Sequence, residues 1–280
     1  MDYPVEQACH ILHISRAAYY KWCSGIVSPR QTENERIAEM IEEIHMENPD
    51  KGYRRIRDDL EVYYGILVND KRVLRICRKL DIRSTIKYAN HGCTRQAKNP
   101  QYIAENRLNR EFHADKPNEK WLTDVTEFKW YEGPVVHKVY LSAILDLYDR
   151  RIVAAVVRDH NDNALVFDTL DQAIKANPGA HPIFHSDRGF QYTNRQFHAK
   201  LEEAGMPQSM SRVGRCIDNG PMEGFWGILK RERYYGKRFT DRESLVNMIM
   251  EYITYYNTKR LQRGLGVITP IQKHELYCAA

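Results

Sequence analysis

The feature that most constrains the fold is a change of period about midway along the chain. From Trp121 onward three runs alternate in strand fashion: Trp121 to Phe128, Lys138 to Leu145 and Arg151 to Val157. The short turns Glu132-Gly133-Pro134 and Leu147 to Arg150 join them. Helical spacing follows at Asn163 to Lys175 and Asn194 to Ala204, interleaved with short strand-like stretches at His181 to Ser186 and Pro207 to Met210. Three antiparallel strands, then alternating helix and strand, then helices, predict a mixed α/β domain.

Before that change the chain reads as helices. Val5, Ala8, Cys9 and Leu12 recur at helical spacing, and Ile14-Ser15 offers a turn and N-cap before a second helix, Arg16 to Trp22. This is either a helix-turn-helix presenting Arg16, Tyr20 and Lys21 outward, or a plain helical hairpin. Gly25 to Gln31 reads as a breaker-rich linker. An amphipathic helix, Glu33 to Glu47, follows with Ile37, Met40, Ile41 and Ile44 on one face. A second helix-turn-helix candidate runs from Arg54 to Tyr63, turns at Tyr64-Gly65 and resumes from Asn69 to Leu80. Val73, Ile76, Cys77 and Leu80 form its buried stripe, leaving Lys71, Arg72, Arg75, Arg78 and Lys79 on other faces, as docking in a DNA major groove asks. Ser84 to Pro117 shows no sustained period and reads as an extended basic linker that orders on DNA. The expected division is residues 1–30, 31–83, 84–117 and 118–280.

Charge supports a nucleic-acid partner by its distribution. The net charge is only +5, but Lys71 to Arg110 holds eleven basic residues against Asp81 and Glu105, a local balance of 11 − 2 = +9. Such a footprint neutralises phosphates; a solvated linker is the plain alternative. With 42% hydrophobic residues the chain can bury a core. No apolar run reaches the roughly 18 residues of a membrane span, and Met1 to Cys9 lacks a secretion-signal layout, so a cytoplasmic location is expected. Six scattered cysteines without a C-x-x-C pair predict reduced thiols. Cys9, His10, His13 and Cys23 fit no common zinc spacing, and both cysteines are expected in core packing.

Three acids stand out by their surroundings. Asp124 interrupts the strand WLTDVTEF; Asp187 closes the stretch Pro182-Ile183-Phe184-His185-Ser186 and precedes Arg188-Gly189. Strand ends beside glycine turns are where α/β sheets place ligand-binding groups. Glu223 borders the helical stripe Met222, Phe225, Trp226 and Leu229, and Lys230 follows seven residues later along the same edge. Lys230 is either a phosphate contact or a solvated lysine. Asp218 and Asn219 suit a turn before that helix, His185 reads as structural, and Asp146, Asp149 and Asp162 carry no assigned chemistry. Clustered carboxylates repel unless cations join them, and two magnesium ions held by such oxygens are what phosphodiester transfer needs.

The spacing and blocks then identify a family. Asp124 and Asp187 are separated by 187 − 124 − 1 = 62 residues, Asp187 and Glu223 by 223 − 187 − 1 = 35. The blocks WLTDVTEF, FHSDRGFQYTN and DNGPMEGFWGILKRE, the tail YYNTKRLQRGLGVITP, and the N-terminal CHILHISRAAYYKW and GYRRIRDDL segments resemble DDE transposases of the insertion-sequence-three family, relatives of retroviral integrases. Gln262 departs from the histidine many relatives carry there. The resemblance implies an RNase H-like core with a mixed five-stranded sheet and flanking helices, preceded by small all-helical helix-turn-helix modules. It implies Asp124, Asp187 and Glu223 as catalytic residues and metal ligands for two Mg²⁺ ions, with Mn²⁺ as a substitute, and cleavage and strand transfer at terminal inverted repeats into target DNA. Arg16, Lys21, Lys71, Arg72, Arg75 and Lys230 are the DNA-binding candidates. A homo-oligomer on paired DNA ends and an upstream-frame protein or frameshift fusion are the expected partners. A nuclease or resolvase, or a non-catalytic DNA-binding regulator, is the alternative.

Overall fold

The computed structural model describes residues 4–25, 27–86, 100–213 and 216–280. The chain divides into two compact units, Met1–Thr85 and Ile86–Ala280. The first is all helical: α1 (Val5–Ile11), α2 (Arg16–Cys23), α3 (Pro29–Glu47), α4 (Tyr53–Tyr64) and α5 (Asp70–Lys79). Ser15 caps α2 by accepting from the Ala18 amide, as its sequence suggests. Cys9 is buried, but Cys23 is exposed, so the core role expected of it is not met. Helix α3 starts four residues before the expected Glu33. Ser28 Oγ accepts from the Gln31 amide, and Pro29 occupies the first turn, where its missing N–H costs nothing. The supposed linker residues Pro29 to Gln31 are therefore helix. Ile37, Ile41 and Ile44 of α3 pack on Ile56 and Leu60 of α4 and Val73, Ile76 and Cys77 of α5. Gly65 ends α4 in the left-handed region at φ 66°, which glycine adopts without a steric penalty.

The second unit is a five-stranded sheet between two helical layers. Its strands are β1 (Lys120–Glu132), β2 (Val135–Asp146), β3 (Ile152–Arg158), β4 (Ile183–Ser186) and β5 (Gln208–Met210), in the order β3-β2-β1-β4-β5. β1 to β3 form an antiparallel meander; β4 and β5 join parallel to β1 and to each other. Helices α6 (Asn163–Ala176) and α7 (Arg195–Glu203) cover one face, on which Trp121, Ile144, Ala154 and Phe184 are buried. Helices α8 (Gly220–Leu229) and α9 (Arg242–Thr258) cover the other, over Leu122, Phe128, Leu141, Ala143 and Leu145. A last helix, α10 (Pro270–Cys278), opens with a capping box between Thr269 and Gln272. The fold is the mixed five-stranded α/β architecture expected.

Of the segment 84–117 expected as linker, residues 87–99 lie outside the described residues. From residue 100 the chain packs on the sheet domain instead of extending: Ala104, Leu108 and Ala114 are buried in its two cores. Their apolar side chains are too widely spaced to show as a period. The helix expected to run straight through Lys230 also differs. At Lys230–Tyr234 it widens into a π turn, which rotates the following residues off the α8 stripe.

Candidate active site

Strand pairing brings the first two acids together. β1 and β4 pair with Trp121 opposite Phe184 and Leu122 opposite His185, an offset of 185 − 122 = 63. Asp124 lies two residues beyond this last pair in β1, and Asp187 follows just past the end of β4, close enough for its charge to act on Asp124. Residues two apart on a strand share a face, and over the face of Leu122 and Asp124 lies α8, with Glu223 in its first turn.

Each carboxylate has its own fastening. Asp124 Oδ1 accepts from the Val125 amide at 2.8 Å, and its Oδ2 accepts from Trp226 Nε1 at 3.1 Å. Burial, and then the charge of Asp187, push the Asp124 carboxyl up to about 8, with Glu223 adding a smaller push. The two hydrogen bonds work against that rise. Asp187 Oδ1 accepts from the Gly189 amide at 2.8 Å, and burial raises this carboxyl also. A Cβ at position 189 would stand 3.0 Å from Asp187 Oδ1 and 3.2 Å from Gln191 Oε1, so a larger residue there would press on the Asp187 carboxylate. Glu223 is exposed, and its carboxyl is raised by partial burial and by Asp187. The three acids thus sense one another, though they come from stretches far apart in sequence.

Several residues around them were not legible as part of the site. Asp218 is fully buried, and Arg212 grips it with Nε at 2.9 Å, Nη2 at 2.9 Å and its backbone amide at 3.0 Å. Arg110 Nε adds 2.7 Å and Asn106 Nδ2 3.1 Å. These donors hold the Asp218 carboxyl far below the usual carboxylate range. Asp218 is therefore a clamp between the segment before β1 and the segment before α8. Arg110, counted in the basic footprint, has its charge answered there. Asn219, also buried, donates from Nδ2 to the Thr123 carbonyl at 3.1 Å. Turn chemistry foretold a bend at these two positions, but Asn106, Arg110 and Thr123, which lie 112, 108 and 96 residues from their partners, leave no local signal. His185 is structural, as expected: its ring nitrogens meet Ser209 Oγ at 2.9 Å and Ser211 Oγ at 3.1 Å. Burial lowers its pKa to about 4, so the ring is neutral.

The basic candidates have varied placements. Lys230 is partly buried, its Nζ 5.0 Å from the centroid of the Phe128 ring. Burial lowers its pKa against the pull of Glu127 and Asp124. Lys21, Lys71 and Arg75 are exposed. Arg16, exposed as well, lies 3.5 Å from Glu6. Arg72 instead turns to α3, bonding Glu33 at 2.7 Å and Asn34 at 2.9 Å. In the tail, buried Glu232 is bound by Arg260 Nη2 at 2.8 Å and by the Tyr252 hydroxyl at 2.8 Å, which ties the π turn to the end of α9.

Among the described residues, no three His, Cys, Asp or Glu side chains are gathered into a group that could hold a metal ion as they stand. Mutual repulsion of like charges favours that separation. The donor set nevertheless suits a hard divalent cation: three carboxylates, two of them held in place by backbone amides, each raised by burial and none neutralised by a bonded lysine or arginine. Also among the described residues, no helix is long and apolar enough to cross a membrane.

An integrase core domain family matches residues 114–216, a second integrase core domain family residues 223–275, and an HTH-like domain family residues 32–90. The putative transposase InsK for insertion sequence element IS150 of Escherichia coli K12 is 36% identical over 272 residues, 96% of this chain and 93% of its own length. The transposase InsF for insertion sequence IS3A, from the same strain, is 28% identical over 283 residues, 97% and 94% of the two chains. Among solved structures, the HTLV-2 integrase catalytic core domain in complex with magnesium resembles 58% of this chain and 99% of its own, at 18% identity and a TM-score of 0.45. With an integrase core, an HTH-like module and such relatives along nearly its whole length, the chain belongs to the insertion-sequence-three family of transposases.

Proposed function

We propose that this transposase cuts the ends of its insertion sequence and joins them to target DNA by divalent-metal-dependent phosphodiester transfer at Asp124, Asp187 and Glu223. The observation that carries the reading is that β1, which bears Asp124, pairs with the strand that leads into Asp187, and that the helix bearing Glu223 is bonded to Asp124 through Trp226. Transfer between phosphodiesters crowds negative charge around phosphorus and needs a strong oxygen nucleophile near neutral pH. Two bound Mg²⁺ ions, or Mn²⁺ in their place, would supply Lewis-acid stabilisation of that charge and activate the attacking oxygen. The chain's own part is to hold the ligands. The Val125 amide and Trp226 indole orient Asp124, the Gly189 amide orients Asp187, and exposed Glu223 is free to turn toward them. Lys230, anchored over Phe128, offers an ammonium to a substrate phosphate beside this centre.

Residues 1–30 and 31–83 serve in this reading as DNA-binding modules, with Arg16, Lys21, Lys71 and Arg75 as phosphate or groove contacts and Arg72 as a support for α3. Residues 118–280 are the catalytic core, and several copies assemble on the paired ends. The test is a strand-transfer assay with DNA carrying the terminal inverted repeats. Asp124→Asn, Asp187→Asn and Glu223→Gln should each fall below about one per cent of wild-type joining while DNA binding persists. Turnover retained in any of the three would refute the assignment, and hydrolysis without joining by the wild type would mark a nuclease.

A further inference from the structure

Helix α8 is weak by composition. Its sequence GPMEGFWGIL contains Gly220, Gly224 and Gly227, each less favourable in a helix than alanine. A Cβ at Gly220 or Gly224 would meet nothing within 4 Å, so close packing does not require either glycine. The helix that carries Glu223 must therefore be held in place by tertiary contacts. Met222, Phe225, Trp226 and Leu229 supply apolar burial, but such contacts are non-directional and tolerate sliding. Direction comes from two hydrogen bonds to consecutive residues of β1. Asn219 Nδ2 reaches the Thr123 carbonyl at 3.1 Å, and Trp226 Nε1 reaches Asp124 Oδ2 at 3.1 Å. The two donors stand four residues before and three residues after Glu223, about one helical turn to either side.

We propose that Trp226 is a positioning residue of the carboxylate centre: its indole N–H fixes the rotamer of Asp124 and, through the same bond, the level of Glu223 along β1. A residue that only fills the core needs the volume of the indole and not its N–H. Here that N–H meets a carboxylate oxygen, where an ordinary buried tryptophan is as well served by a backbone carbonyl. The bond leaves the second lone pair of Oδ2 for another partner, so orientation does not close the site. This inference rests on the metal-binding reading of Asp124.

The experiment compares the full chain with Trp226→Phe, Trp226→3-benzothienylalanine and Asp124→Asn. The second replaces the N–H by sulfur at unchanged shape and decides the matter if Trp226→Phe does not fold. Mn²⁺ binding is read without DNA from the loss of the free-ion paramagnetic resonance signal, alongside the metal dependence of strand transfer. Loss of a hydrogen bond to a charged group should weaken Mn²⁺ binding about tenfold. Half-maximal joining should need correspondingly more metal, with the saturated rate largely recovered and the Kd for terminal-repeat DNA unchanged. Undiminished Mn²⁺ binding by the benzothienyl variant would overturn the role of Trp226 alone. Undiminished binding by Asp124→Asn would overturn the carboxylate reading, and this inference with it.

Discussion

Asp124→Asn should make the metal-free protein more stable at alkaline pH, although it abolishes the proposed chemistry. Unfolded, an aspartate titrates near 3.9; in the fold, Asp124 titrates at about 8. Between those values the unfolded chain has released a proton that the folded chain keeps. Stability therefore falls as pH rises through that window and levels off above about 8. A shift of about four units at roughly 1.4 kcal/mol each sets a ceiling near 5–6 kcal/mol on the penalty. Asparagine removes that penalty but brings another. Val125 N–H and Trp226 N–H face both oxygens, and an amide can accept from only one, which costs about 1–3 kcal/mol. The net gain is then at most about 5 kcal/mol, and each kcal/mol of it is worth about 2–4 °C in Tm for a domain of this size. Calorimetric scans in EDTA from pH 5 to 9 would show the variant drawing ahead of wild type as pH rises. Added Mg²⁺ should stabilise the wild type and not the variant. A variant no more stable than wild type at pH 8 in EDTA would refute the claim that Asp124 is an unneutralised, partly buried charge.

Asp218→Asn should cost about 2–3 kcal/mol, read by urea denaturation, since it strips a buried charge from Arg212 and Arg110; the half-exposed guanidinium groups keep the cost below that of a fully buried pair. Because the Asp218 carboxyl is depressed, its contribution is present above the unfolded value near 3.9 and is lost as pH falls below it. Lys230→Ala should lower the slope of log Kd against log salt by about 1 if its ammonium meets a phosphate, and an unchanged slope would return it to a packing role over Phe128.

Local patterns were readable where local forces decide them. Ser15 and the Gly65 turn announced helix boundaries, and the stripe of Met222, Phe225, Trp226 and Leu229 is buried as its spacing implies. Where a second influence acts, the pattern misleads. Pro29 looks like a breaker yet sits in the first turn of α3, and the stripe that runs into Lys230 hides a π turn. Cys23 occupies an apolar-looking position on a two-helix hairpin with too little surface of its own to bury it. Arg110 reads as a phosphate contact until Asp218, 108 residues away, is found beside it.

By itself the amino-acid order determined the succession of helices and strands, the family, and which three acids belong to the ordered blocks, because these are matters of period, composition and spacing along the chain. Only the tertiary structure decided that β1 pairs with the strand that leads into Asp187, that Trp226 bridges strand and helix, and that Asp218 holds Arg110. Those pairings join partners that lie 63, 102 and 108 residues apart along the chain. They form because burial leaves each polar group to find whichever partner the packed layers bring within reach, and no short window of sequence holds both members.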